Sequence, residues 1–104
     1  MIIQVNTDSS IENDSKLTAH VESVVEKALD RFSDKVTRVE VHLHDENAHK
    51  PGDHDKRCVL EVRLAGLQPQ AVTHHADSTD KALNGACDKM KSLLESMLGR
   101  LNKR

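Results

Sequence analysis

Hydrophobic positions along the chain repeat at two different periods, and each change of period marks an element. Ile2, Ile3 and Val5 open it as a short strand. The polar stretch from Thr7 to Asp14 reads as a turn, with Asp14 placed to cap a helix. Leu17, Val21, Val24, Val25, Ala28, Leu29 and Phe32 then recur at three and four residues. This is the spacing of a helix with one buried face, and it predicts helix to about Phe32. From Val36 the period drops to two. Val39, Val41 and Leu43 fall on one side and Arg38, Glu40, His42 and His44 on the other, as in a half-buried strand. The next dozen residues hold Pro51 and Gly52 among polar side chains, which is turn chemistry. Alternation resumes with Cys58, Leu60, Val62 and Leu64 facing one way and Arg57, Glu61 and Arg63 the other, so the two runs predict a long hairpin. After the turn Gly-Leu-Gln-Pro, residues 70–76 predict a shorter strand, with Val72 and His74 on one face and Thr73 and His75 on the other. Asp77 and Ser78 are candidate N-caps, and Asp80 stands in the first turn, where the helix dipole favours an acid. Leu83, Ala86, Met90, Leu93, Leu94, Met97 and Leu101 carry a second helix to about Leu101.

The order β-α-β-β-β-α predicts an α+β fold around a four-stranded mixed sheet. A right-handed crossover makes the first two strands parallel, and the remaining pairings are antiparallel. The sheet has one apolar face and both helices need an apolar partner, so both pack on that face and their polar sides form one outer surface. A chain of 104 residues without internal repeats is read as a single domain, 1–104.

Charge adds little globally: 15 Lys and Arg stand against 17 Asp and Glu, for a formal net charge of -2. A nucleic-acid role therefore requires local segregation. Helix 1 supplies a stripe of Lys16, His20, Lys27 and Arg31. On helix 2, Lys81, Gly85, Lys89, Ser92, Ser96, Arg100 and Lys103 fall within a sector of roughly 100° that holds no acid, while Asp88 and Glu95 lie on the far flank. Phe32 is the single aromatic residue, which leaves no platform for base stacking and makes phosphate contact the available mode.

Four of the seven histidines lie between His42 and Cys58. His42 and His44 share a strand face, and with His75 or His74 and Asp45 or Glu46 they form a weak candidate metal site; His49 and His54 fall in the loop. No ligand spacing matches a closed metal site, and no metal or other cofactor is expected. The histidines also suit a polar hairpin surface or a pH-sensitive one. No Ser, Cys or carboxylate is set beside a His in a recognised catalytic arrangement and no Gly-rich phosphate loop occurs, so no enzyme activity and no small-molecule substrate are expected. Cys58 and Cys87 lie on apolar faces and form no CxxC pair, as expected of buried, reduced thiols. With no membrane-spanning run and no leader pattern, the expected location is the cytoplasm.

The helix 1 ending "VVEKALDRF", the Val-rich strand after it and the helix 2 run "ALNGACDKMKSLLESMLGRL", in this topology, resemble the ribosome hibernation factors, the family of ribosome-associated inhibitors of translation. The resemblance covers nearly the whole chain and is to a short form, of a divergent proteobacterial branch, without a long carboxy-terminal dimerisation domain. It implies a fold like that of double-stranded-RNA-binding domains. It also implies binding to the 30S ribosomal subunit under stress or in stationary phase, through 16S rRNA in the channel of messenger and transfer RNA. Lys27 and Lys89 match the family's basic positions. Lys16, Arg31, Lys81, Lys91, Arg100 and Lys103 join them from helical phase. The chain departs from the family at Val24, where many members carry a base, at Asp80, where they carry a Tyr, and in its long polar hairpin. The alternative is a stress-related binding module whose polar sheet face and hairpin 42–58 hold a protein partner or a metal.

Overall fold

The computed structural model describes residues 1–8, 11–46 and 55–102, and for 100–102 the backbone alone. Its elements run β1 (Ile2–Thr7), α1 (Ser15–Leu29), β2 (Val36–Asp45), β3 (Lys56–Leu64), β4 (Gln70–Ala76) and α2 (Thr79–Asn102). The strands lie in the order β1-β2-β3-β4, with β1 parallel to β2 and the other two pairings antiparallel. This is the fold expected from the alternation of periods.

The ends of the helices follow from local chemistry. Asp14 caps α1 by accepting the backbone N–H of Leu17 at 2.9 Å, which satisfies one of the amides a helix start leaves unpaired. The α-helix stops at Leu29 and tightens into a 3-10 turn, Asp30–Phe32, that carries Phe32 into the core. Ser78 caps α2 through the Lys81 N–H at 3.1 Å.

One register shift separates Val36 from the rest of β2: Val36 pairs with Leu64 and Arg38 with Arg63, which leaves Thr37 as an extra residue. Val36 and Val39, three positions apart, are therefore both buried, and strict alternation starts at Val39. Thr37 Oγ1 donates to the Arg63 carbonyl at 3.2 Å and ties the irregular step down.

A continuous core joins Val21, Val25, Leu29 and Phe32 to Val39, Val41, Leu43, Cys58, Leu60 and Val62, and then to Leu83, Ala86, Met90 and Leu94. Each buried Val, Leu, Phe or Met side chain contributes about 1.5–3 kcal/mol by leaving water. Because the buried strand residues all belong to one phase, both helices sit on that side and the opposite sheet face is left open. No helix among the described residues is long and apolar enough to cross a membrane.

Candidate nucleic-acid interface

The core-facing side of α1 fixes where its basic stripe points. With Val21, Val25 and Leu29 buried, Lys16, Lys27 and Arg31 are exposed, and the flank holding His20 and Arg31 faces α2. Two contacts span the helix pair: His20 Nε2 lies 2.6 Å from Asp80 Oδ1, and Arg31 Nη1 donates to Glu95 Oε1 at 2.8 Å. The Arg31 guanidinium also lies 5.4 Å from the centre of the Phe32 ring. Two acids of α2 outside its basic sector, Asp80 and Glu95, thus face the bases of α1. Lys91, half-buried, falls on this same α1-facing flank and not in the acid-free sector.

The acid-free sector of α2 turns the other way, toward β4. Lys89 Nζ donates to the Thr73 carbonyl at 2.8 Å, and Lys81 Nζ pairs with Asp77 at 3.1 Å. The side chain of Arg100, and Lys103 altogether, lie outside the described residues. The expected RNA-contacting residues therefore divide. Lys16, Lys27 and Lys91 make no ion pair among the described residues, whereas Arg31, Lys81 and Lys89 each hold an internal partner. Glu95 and the His20–Asp80 contact were missed as determinants of this surface. The paired residues are 60 and 64 positions apart in the chain, and only the position of Asp80 in the first turn was visible locally.

The open sheet face carries the other candidates. His42 stands 3.7 Å from Glu61, His44 3.8 Å from Asp8, and His75 3.5 Å from Glu46, which also accepts from Arg57 at 3.0 Å. The three candidate metal-binding histidines are dispersed over three different carboxylates. Among the described residues no three or more His, Cys, Asp or Glu side chains are grouped to hold a metal ion. His74 turns to the helix side instead, its ring laid against Gly85 of α2. His49 and His54 lie outside the described residues. At the hairpin base Lys56 bonds Asp55 at 3.0 Å and approaches Asp45 at 3.5 Å, and the hydrogen bond to Asp55 holds its ammonium above the ordinary pKa. Cys58 and Cys87 are buried, and desolvation pushes their thiols up to about 12 and about 11. Neither is a nucleophile at neutral pH.

Residues 4–102 match the model of the family described as sigma 54 modulation protein / S30EA ribosomal protein. The chain belongs to this family. S30EA membership places it among ribosome-associated, non-enzymatic proteins of translation regulation. Among solved structures, the N-terminal domain of Protein Y from Thermus thermophilus superposes with a TM-score of 0.75 at 18% identity, over 93% of this chain and 99% of that one. A ribosomal subunit interface protein from Coxiella burnetii superposes with a TM-score of 0.72 at 18% identity, over 95% of this chain and 99% of the other. At that identity both show the S30EA fold. No curated protein matches the chain.

Proposed function

We propose that this S30EA protein binds the small ribosomal subunit through 16S rRNA and holds translation idle under stress, working in the cytoplasm as one domain. The observation that carries this reading is the exposed layer of the two helices, in a chain whose family model spans residues 4–102. Lys16 and Lys27 are exposed there and make no ion pair among the described residues, and Lys91 joins them at the helix boundary. Rigid helices set these ammonium groups at fixed spacing, and phosphate neutralisation then supplies affinity without reading bases. A chain whose single aromatic residue is buried suits that mode.

Arg31, Lys81 and Lys89 join the interface by exchanging an internal partner for a phosphate. Such exchange costs little at the surface, where exposed ion pairs contribute roughly 0–1 kcal/mol. Arg100 and Lys103 belong to the same proposed set by their positions in the sequence. Replacing Lys27 and Lys89 together by Glu tests the reading: cosedimentation with purified 30S subunits is expected to fall at least tenfold, and unchanged cosedimentation would sink it.

A further inference from the structure

The hydrogen bond from Lys89 to Thr73 says something about β4 that RNA binding does not use. A carbonyl that accepts from a side chain of α2 faces away from β3. In an antiparallel strand the N–H and C=O of one residue point to the same side, and the side alternates. Ala71, Thr73 and His75 therefore direct their main-chain groups to the free edge, while Gln70, Val72, His74 and Ala76 serve the β3 ladder. The side chains of Ala71, Thr73 and His75 are all exposed, so this edge is neither covered nor buried.

The two edges of the sheet are closed differently. At β1 the segment leading into α1 lies alongside, with Asn13 Nδ2 donating to the Val5 carbonyl at 3.5 Å. At β4 the bond from Lys89 is a flexible ammonium on the middle carbonyl. A lysine at a free edge is a known means of preventing strand addition.

We propose that the β4 edge is a strand-addition site for a second copy of this chain, and that Lys89 is the side chain that keeps it shut. The strand is self-complementary about its own centre. Thr73 is the middle residue of Gln70–Ala76, so a two-fold axis there pairs Thr73 with Thr73 and Ala71 with His75, over the whole strand. No carboxylate or ammonium side chain stands among the edge-facing residues to oppose this pairing. The obstacle is Lys89, which occupies the acceptor that the central pair needs and would bring two ammonium groups together across the axis. Removing its charge converts two four-stranded sheets into one continuous sheet of eight strands. Lys89 serves both readings, but self-association of the purified chain is measured without ribosomes and so tests the edge alone.

Sedimentation velocity on the purified chain at about 100 μM tests it. The wild type and Lys89→Arg, which keeps the charged cap, are expected to sediment as monomers, and Lys89→Met as a dimer with at least tenfold tighter self-association. Adding Ala71→Pro to Lys89→Met removes an N–H that only the edge uses and returns the monomer. Should the proline variant lose its circular dichroism spectrum, Thr73→Cys replaces it. Cα atoms of a facing hydrogen-bonded pair lie about 5.5 Å apart, within disulfide reach. In the Lys89→Met background, diamide should then link the chains through residue 73, and a cysteine placed at Ser92 should stay unlinked. A monomeric Lys89→Met, a dimeric wild type, a dimer that survives a folded Ala71→Pro, or no cross-link at residue 73 would each overturn the proposal.

Discussion

Gly85 shows how a single position can reverse an ordinary rule. Alanine in place of glycine within a helix usually stabilises by about 1 kcal/mol. Here an added Cβ would stand 2.0 Å from His74 Cδ2 and 2.6 Å from Cγ, so the ring itself blocks it and not a movable tip. Gly85→Ala is expected to cost about 1–3 kcal/mol in urea unfolding, as overpacking does. In a His74→Ala background the same change should become neutral or stabilising. The two thiols make a second prediction at this scale. They ionise in the unfolded chain near pH 9 but keep their protons in the folded one to about 12 for Cys58 and about 11 for Cys87. Above pH 9 the unfolded state therefore binds fewer protons. The stability that burial supplies is complete below pH 9 and declines as pH rises, by up to about 1.4 kcal/mol per pH unit for each thiol. Urea midpoints at pH 8, 9 and 10 check this, and the decline should flatten in Cys58→Ala and Cys87→Ala. Sequence alone placed both thiols and both faces of β3 correctly, because alternation decides burial one residue at a time. It gave no sign that His74 rests on Gly85, since that contact depends on how closely α2 approaches β4.

At the scale of elements, the caps and the cross-helix pairs govern different properties. Asp14 secures the start of α1, and Asp14→Ala is expected to cost about 1 kcal/mol. The Arg31–Glu95 pair is exposed and contributes under about 1 kcal/mol to stability. Its larger effect is electrostatic, because Glu95 both occupies Arg31 and places a negative charge in the helix layer. Glu95→Gln is therefore expected to leave the thermal midpoint nearly unchanged while tightening binding to 30S subunits a few-fold at low salt. Equal affinity for the variant and the wild type would remove Arg31 from the interface. The strands and helices were legible from periodicity, and the 3-10 turn at Asp30–Phe32 fell within the expected helix. The extra residue at Thr37 was not legible, because it is defined by the partner strand. Nor was the mutual facing of α1 bases and α2 acids, which helical phase separates by side without saying which side meets the other helix.

For the whole molecule, the order β1-β2-β3-β4 with both helices on one side follows from a right-handed crossover and a single apolar sheet face. That arrangement gives one helical surface on which exposed lysines stand beside acids such as Asp80 and Glu95, and one open face of histidines set against carboxylates. The histidine-rich segment, conspicuous in sequence, disperses over Glu61, Asp8 and Glu46 once folded. The modest lysines of the helices carry the functional reading instead. The central claim is that phosphate contacts from these lysines hold the protein on the small subunit, and a salt titration of wild-type binding to purified 30S subunits measures it most directly. Each neutralised phosphate contributes about 0.7–0.9 to the slope of log affinity against log salt concentration. Four or more contacts predict a slope of about -3 or steeper, lessened by about 1 in Lys27→Glu. Absence of binding at low salt, or affinity that does not change with salt, would contradict the account.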